Sequence, residues 1–164
     1  MISNMSETFI NNIIVDHDSS EVEFVQLNKI CIISRGRVLS KDYIRTNVGP
    51  YPVYSSQTMN DGNLGGINTY DFDGEYITWT TDGANAGSIF YRKGKFSITN
   101  VCGLIKVENP IVLPKFLAYY LTITAKEYVN EGMGNPKLMS NVMSKILIPI
   151  PPITIQQEIV NILD

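Results

Sequence analysis

The sequence predicts an α+β fold: a twisted, mostly antiparallel β core with a few helices, followed by a further helix at the end of the chain. Four short runs rich in β-branched and aromatic residues lie in the middle of the chain, separated by turn residues. A helical pattern follows these runs, and a second helical pattern ends the chain. A length of 164 residues fits one domain that can bury a core.

The first third of the chain predicts short elements. Residues 1–22 are rich in Asn and Ser, and we expect a loosely attached polar leader. "EVEFVQ" alternates like a short strand, and we interpret residues 27–33 as a brief helix that "RGR" ends. "GPYPVYSSQ" predicts a turn, a short strand with Tyr51, Val53 and Tyr54, and a polar loop. The Gly- and Asn-rich "NDGNLGGIN" predicts a turn.

The four central runs are "GEYITWTT", "GSIFYR", "KFSITN" and "CGLIKV". "KGK" between the second and third predicts a hairpin connection, and hence antiparallel neighbours. Residues 113–129 predict a helix with Pro114 in its first turn. Its apolar face is expected in the core and comprises Phe116, Leu117, Tyr120, Leu121 and Thr124. "MSNVMSK" then predicts a helical turn, and "ILIPIP" a last buried strand.

The chain ends in "IPIPPITIQQEIVNILD", in which the prolines predict a rigid bridge into a helix. Thr154 and Gln157 have the spacing of a capping box, in which each side chain hydrogen-bonds a free backbone amide of the first turn. An apolar stripe follows at helical spacing, and we expect it to pack partly on its own domain and partly on a second helix. The stripe consists of Ile155, Ile159, Ile162 and Leu163.

Composition is ordinary for a globular protein, with 44% hydrophobic and 18% charged residues. No apolar run approaches the roughly 18 residues that a membrane-spanning helix needs, and the N-terminus lacks the basic start of a signal peptide. Cys31 and Cys102 lie in apolar surroundings, which predicts buried free thiols rather than a disulfide. We therefore expect a cytoplasmic protein.

The net charge of −3 is unevenly distributed. The first 23 residues contain five Asp or Glu residues and no Lys or Arg. The remainder therefore holds 13 basic residues and 16 − 5 = 11 acidic ones. Residues 46–91 contain no Lys or Arg. On either side of this gap nine basic residues form two clusters: Lys29, Arg35, Arg37, Lys41 and Arg45, and Arg92, Lys93, Lys95 and Lys106. Separate patches of each sign suit local contact with phosphates, although solvated loops explain them equally well.

Residue types that build catalytic sites are scarce. His17 is the single histidine, which excludes a Ser-His-Asp arrangement in the core. Paired cysteines at zinc spacing, a complete calcium loop and a phosphate-binding Gly-Lys-Ser/Thr motif are all missing from the sequence. Asp71, Asp73 and Glu75 fit a solvated turn. The sequence therefore predicts a protein that is not an enzyme and that needs no cofactor or metal.

Four segments in this order resemble the target recognition domain of the specificity subunit of type I restriction–modification systems. They are "GPYPVYSSQ", "TWTTDGANAGSIFYRKGKFSITNVCGLIKV", "GMGNPKLMS" and "ILIPIPPITIQQEIVNILD". The resemblance covers Glu23 to Asp164, and after the polar leader at 1–22 it implies a DNA-binding recognition domain at 23–152 and the start of a long spacer helix at 153–164. A complete subunit of this family has two such domains, whose helices pair antiparallel, whereas this chain holds one domain and the first turns of one helix. It could be an excised fragment, a truncated gene product or a half-subunit.

The resemblance also implies partners. The specificity subunit reads a bipartite sequence in double-stranded DNA, docks adenine methyltransferase (modification) subunits and is joined by restriction subunits. We expect a second recognition domain or a second copy to bind through the spacer helix. Two alternatives remain open: a β-rich protein- or glycan-binding module, or the recognition domain of a fused restriction–methylation enzyme. A methyltransferase motif of the Asn-Pro-Pro-aromatic type is missing from this sequence.

Loop residues with hydroxyl, amide or basic side chains are the candidates for DNA contact, because they can reach base edges or phosphates. The candidates for base edges, or for shaping the site beside them, are Tyr54, Ser55, Ser56, Gln57, Thr80, Thr81, Asp82 and Asn135. The candidates for phosphates are Lys137, Arg35, Arg37, Lys41, Arg92, Lys93 and Lys95. For any one of the candidates at 54–57 an ordinary polar turn is an equally good explanation, and each cation taken singly fits a solvated surface.

Overall fold

The structure is a computed structural model that describes Thr8, residues 10–12 and residues 22–164. Within residues 22–164 the strands are β1 Glu23–Gln26, β2 Cys31–Arg35, β3 Val48–Tyr54, β4 Asn63–Ile67, β5 Phe72–Thr80, β6 Ile89–Ile98, β7 Cys102–Val107 and β8 Leu147–Ile150. The α-helices are α1 Lys41–Thr46, α2 Pro114–Thr124, α3 Ser140–Met143 and α4 Ile153–Leu163. Short 3-10 turns cover Leu27–Lys29, Met59–Gly62, Ala125–Tyr128 and Gly132–Gly134.

Six strands form one sheet in the order β2-β7-β5-β6-β3-β4, and β1 pairs with β8 in a separate ribbon. The neighbours are antiparallel except for β3 and β6, where Val53 and Tyr54 pair in parallel with Ser97 and Ile98. The predicted α+β fold with a mostly antiparallel core is therefore confirmed.

The sheet curls back on itself near the ends of β2 and β6. These strands are not neighbours in the sheet, yet Arg37 forms a parallel bridge with Thr99, and its amide donates to the Ile98 carbonyl at 3.3 Å. Gly36 makes this approach possible, because a Cβ there would lie 2.1 Å from the Thr99 carbonyl oxygen. The interior of the curl holds Phe96, Ile98, Cys102 and Leu104.

The opposite face of the sheet carries the main core. Side chains alternate along a strand, so Ile77 and Trp79 of β5 point to this face while Thr78 and Thr80 point to the other. Helix α2 packs on β5 and β6 and contacts α4. Trp79 is fully buried, and its Nε1 donates to the Leu138 carbonyl at 2.8 Å. A smaller cluster of Leu39, Ile44, Val53 and Ile67 lies under α1.

Three sequence-based predictions of local structure are wrong. Residues 27–33 are a single 3-10 turn followed by β2, because Cys31 and Ile33 pair with β7. "KGK" lies inside the continuous strand β6, with Lys93 opposite Glu75 and Gly94 opposite Gly74. The second half of "NDGNLGGIN" is the edge strand β4, which pairs with β3. In each case pairing with another strand overrides the local pattern.

The predicted capping box of α4 is also wrong. The helix begins at Ile153 after Pro152 as N-cap, without a side-chain cap. The neighbouring Gln156 is fully buried instead: its Oε1 accepts from the Leu113 amide at 2.8 Å, and its Nε2 donates to the carbonyls of Ile111 at 2.8 Å and Pro151 at 2.9 Å. This side chain therefore ties α4 to the segment that leads into α2.

The apolar stripe of α4 is divided between burial and exposure. Ile155 and Ile159 are buried in the main core together with Val160, Leu163 is half-buried, and Ile162 is 61% exposed. In the described part of the chain, no helix is long and apolar enough to cross a membrane.

The predicted leader lies largely outside the described residues, as does His17. Of its described residues, Ile10 is fully buried in the main core. Cys31 and Cys102 are buried free thiols, as predicted. Burial, with a smaller contribution from Glu108, raises the pKa of Cys31 to about 12, and burial raises the pKa of Cys102 to about 11.

Candidate nucleic-acid interface

One end of the sheet collects polar residues from four separate segments; we call Arg35, Thr81, Asp82, Asn100 and Lys137 the polar end. Arg35 ends β2, and its guanidinium donates to Thr81 Oγ1 at 3.1 Å and to the Asn100 carbonyl at 2.5 Å. It also lies 3.8 Å from Asp82 Oδ1, which accepts a hydrogen bond from the Thr81 hydroxyl. The ends of β2 and β5 and the turn before β7 are thus fixed around one cation.

The loop that carries Lys137 joins this group through backbone contacts. Asp82 and Lys137 form an antiparallel bridge, and the Gly83 amide donates to the Pro136 carbonyl at 2.9 Å. Lys137 pairs in the same way with Asn130. Asn130, Gly132, Asn135 and Lys137 line an open pocket of about 320 Å³. Lys137 and Asn135 are exposed, so the pocket presents a cation and an amide to solvent.

The exit of β3 lies against the turn that follows β6. Ser55 Oγ and Thr99 Oγ1 share a hydrogen bond of 2.8 Å, and the Thr99 amide donates to the Tyr54 carbonyl at 3.0 Å. Asn85, in the loop after β5, donates to the Ser56 carbonyl at 3.2 Å. Because Asn85 and Asp82 belong to one short loop, the β3 exit borders the polar end.

Several predicted base contacts are occupied within the protein. Thr80 and Thr81 are buried, so neither side chain reaches a base edge in this conformation. Thr81 positions Arg35 and Asp82, whereas the Thr80 hydroxyl is buried without a hydrogen-bond partner among the described residues. Gln57 Nε2 donates to the Asn63 carbonyl at 2.6 Å and to the Met59 carbonyl at 3.4 Å, which uses both amide hydrogens, and bidentate pairing with adenine needs one of them. In this conformation Thr81 and Gln57 therefore hold neighbouring groups of the protein in place.

Arg92 is likewise not available to a phosphate in this conformation. Its side chain is 2% exposed, and the guanidinium lies 3.5 Å from the ring centroid of Tyr54 and donates to Asp61 Oδ2 at 2.8 Å. Burial lowers the pKa of Arg92, while the negative charge of Asp61 opposes that change. The sequence pattern could not distinguish this buried cation from the exposed ones beside it.

Of the remaining predicted cations, Lys41, Lys93 and Lys95 lie away from the polar end, whereas Arg37 lies beside it, in a parallel bridge with Thr99. Lys93 and Lys95 face Glu75 and Asp73 across the β5–β6 ladder, and Glu75 lies six residues before Thr81, roughly 20 Å along a strand. Lys41 lies on α1, beside a pocket that Arg45 and Val48 also line. Arg37 donates to both carboxylate oxygens of Asp71, at 2.7 and 3.2 Å, and this hydrogen bonding raises its pKa.

Four residues of the site were not predicted from the sequence: Asn85, Thr99, Asn100 and Asn130. Asn85 and Asn100 lie in turns, which Asn favours, and Thr99 and Asn130 form isolated bridges with Arg37 and Lys137. Positions of either kind signal no function by themselves. In the described residues, no group of three or more His, Cys, Asp or Glu side chains could hold a metal ion. The chemistry on offer is hydrogen bonding by amides and charge pairing by Arg35 and Lys137.

Comparisons with known proteins match the chain to a family. The family model described as the type I restriction modification DNA specificity domain matches residues 19–164. A protein of Mycoplasma pneumoniae named as the N-terminus of a type I specificity subunit is 49% identical over 144 residues, which are 88% of this chain and 77% of that protein. The specificity subunit of a type I restriction enzyme from the same organism is 50% identical over 141 residues, or 86% of this chain and 42% of that protein.

A solved structure shows the same fold. The crystal structure of the S subunit of a type I restriction–modification system from M. genitalium matches with a TM-score of 0.78 at 17% sequence identity. The match covers 97% of this chain and 46% of that one. The chain thus spans less than half of this subunit and of the type I enzyme's specificity subunit.

Proposed function

Because the chain belongs to the family of type I restriction modification DNA specificity domains, we propose that it recognises one half of a bipartite sequence in double-stranded DNA. The family resemblance read from the sequence is confirmed. The observation that carries the proposal is the polar end, where Arg35, Lys137 and several amides meet on one surface.

Two kinds of contact are needed, since phosphate contacts position a protein on DNA and base contacts give it sequence preference. Arg35 and Lys137 are the cations that the polar end presents, and we assign them to phosphates. Asn100 and Asn135 are exposed amides beside them, and we assign them to base edges in the major groove. Asp82, Ser55 and Ser56 border these positions, and Thr81 holds Arg35 in place. Tyr54, Gln57 and Thr80 lie in the same segments and are not assigned a contact with DNA.

The domain contributes recognition and leaves the chemistry to other chains. In this proposal it acts in the cytoplasm as part of a complex with adenine methyltransferase subunits, which modify the DNA, and with restriction subunits. Residues 23–152 are the recognition domain, and residues 153–164 begin the spacer helix. The amide-rich polar end fits such a domain, which selects the target and holds no catalytic residues.

The exit of α4 supports a second recognition domain as a partner. Asp164 at the end of the described chain accepts hydrogen bonds from Lys115 Nζ and the Tyr119 hydroxyl, both at 2.6 Å. These two contacts lower the pKa of the Asp164 carboxyl, Lys115 having the larger effect. The end of α4 is therefore held on α2 in a defined orientation, with Ile162 exposed on one side. We assign Ile162 to the contact with a second helix.

Binding selection tests the proposal. The specificity subunit, assembled with its modification subunits, is incubated with a duplex library that is randomised over one half-site. We expect enrichment of one short sequence. Replacement of Lys137 by Ala should lower affinity for all sequences alike and reduce the salt slope by about one, whereas the Lys29→Ala control at the opposite end of β2 should change neither. A wild-type complex that enriches no sequence would refute the proposal.

A further inference from the structure

The turn Met59–Gly62, which follows the polar exit of β3, has an unusual backbone. Asn60 (φ 52°, ψ 40°) and Asp61 (φ 55°, ψ 29°) both lie in the left-handed region, and Gly62 follows with φ 79°. Asn60 and Asp61 are the non-glycine residues with positive φ in the described chain. Asn and Asp tolerate this conformation better than other side chains do, but two in succession still need support from their surroundings.

Arg92 provides that support from beneath the turn. Its guanidinium lies 3.5 Å from the ring centroid of Tyr54 and 4.3 Å from that of Phe90, and it donates to Asp61 Oδ2 at 2.8 Å. Arg92 is 2% exposed at its side chain, whereas the side chain of Asp61 is 76% exposed. A buried guanidinium needs a partner, and the turn supplies it by placing the exposed carboxylate of Asp61 directly over Arg92.

Further hydrogen bonds fix the turn to its base. The Ser55 amide donates to the Gly62 carbonyl at 3.0 Å, and Gln57 Nε2 donates to the Asn63 carbonyl at 2.6 Å. The adjacent Ser56 carbonyl accepts from Asn85. The turn is thus held rigidly beside the loop that contains Asp82 and borders the polar end.

The side chains that the turn presents to solvent suit base edges rather than phosphates. Met59 is 80% exposed, and Asn60 beside it is exposed with an amide that makes one long contact, 3.4 Å to the Asn63 carbonyl. An exposed amide can pair with adenine, and an exposed apolar side chain can contact a thymine methyl group. No Lys or Arg occurs from residue 46 to residue 91, and the charge of Arg92 below is balanced by Asp61.

We propose that Met59 and Asn60 contact base edges in the major groove and determine sequence preference, and that Arg92 is a positioning residue that holds them in place through Asp61. This inference rests on the proposed function of the polar end as a DNA site. It assigns Arg92 to the geometry of the turn instead of to a phosphate.

The Asp61→Asn variant tests the inference in the full specificity subunit assembled with its modification subunits. Asn keeps the preference for the left-handed conformation and removes the charge that pairs with Arg92. The readout is the ratio of affinities for the selected half-site and for single-base variants of it, because a uniform electrostatic change cancels in that ratio. We expect discrimination at one or two base positions to fall about tenfold, with the salt slope unchanged.

Two further variants complete the experiment. Asn60→Ala removes the presented amide and leaves the Asp61–Arg92 pair, and it should relax discrimination at a base position that Asp61→Asn also affects. Asp42→Asn is the matched control, because it breaks an exposed Asp–Arg pair of 3.2 Å on α1 and should leave discrimination unchanged.

The outcomes separate the inference from the proposed function. Unchanged discrimination in both Asp61→Asn and Asn60→Ala, with a selective wild-type complex, would overturn the inference alone. Affinity that falls equally on all sequences with a smaller salt slope would overturn it too, since that pattern marks a phosphate contact. A wild-type complex without any sequence preference would refute the proposed function itself.

Discussion

The helix-covered face of the sheet and its polar end are held by different kinds of contact. Trp79, Ile77 and Phe116 are fully buried among apolar side chains on the first. Two residues after Trp79, just past the end of β5, Thr81 is fixed by hydrogen bonds to Arg35 and Asp82, which are partly exposed. Apolar burial supplies most of the stability of a domain, whereas exposed ion pairs add little. The comparison predicts that the two regions respond to mutation in different ways.

The largest effect on stability is expected on the helix-covered face. Trp79→Ala removes the largest buried side chain and its hydrogen bond to Leu138, and it should lower the free energy of unfolding by about 3–5 kcal/mol. Urea unfolding followed by circular dichroism measures this. The exposed Val38→Ala control should change the free energy by less than about 0.5 kcal/mol. Similar losses in both variants would contradict the placement of the core.

The next effect separates two adjacent glutamines of α4. Gln156→Leu leaves the Leu113 amide and the Ile111 and Pro151 carbonyls without their partner, and it should cost about 3 kcal/mol of unfolding free energy. Gln157→Leu, on the exposed side of the same helix, should cost about 0.5 kcal/mol or less. Urea unfolding measures the free energy of unfolding of both variants. A larger loss in Gln157→Leu would contradict this placement and support the capping box that the sequence predicted.

A smaller effect on stability is expected at the polar end. Arg35→Gln removes a partly exposed ion pair and should change the unfolding free energy by about 1 kcal/mol or less. In the assembled complex the same variant should weaken DNA binding and lower the salt slope by about one. Arg45→Gln breaks a comparable exposed pair on α1 and should leave DNA binding unchanged. Equal DNA binding by wild type and Arg35→Gln would contradict the assignment of Arg35 to a phosphate contact.

The smallest effect at neutral pH belongs to the buried thiols. Their pKa values are raised from 9.0 to about 12 for Cys31 and about 11 for Cys102. Between these values the unfolded chain loses protons that the folded chain keeps, so their contribution to stability is complete below pH 9 and declines as the pH rises toward 12. Urea unfolding at pH 7 and pH 10.5 should show the decline. It should be smaller in the double variant Cys31→Ala/Cys102→Ala, and an identical decline in that variant would contradict this origin.

Sequence reasoning could predict the helix-covered face because local patterns determine it. The face of α2 with Phe116, Leu117 and Leu121 was identified from 3.6-residue spacing, and the buried β8 from its apolar run. Strand β4 and the continuity of β6 were missed, since their glycines signal turns unless a neighbouring strand is known. Pairing partners of that kind are set by the whole fold.

The polar end was predicted in part. Arg35, Thr81, Asp82 and Lys137 were all named from the sequence, although 102 positions separate the first from the last. Their separation from Lys93 and Lys95, and the burial of Arg92, could not be foreseen. Basic residues that are neighbours in the sequence differ in burial according to which side of a strand they occupy. For Arg92, the curl of the sheet determines that its side is buried.

Photo-crosslinking from the two ends of β7 shows which end of the sheet contacts DNA. A benzophenone amino acid is placed at Asn100, in the exposed turn before β7, or at Glu108, just after it, which is roughly 20 Å further along the strand. The variants are assembled in the full complex with duplex DNA that carries the selected half-site. The account predicts crosslinks to DNA from position 100 and none from position 108. Crosslinking from position 108 without crosslinking from position 100 would contradict it.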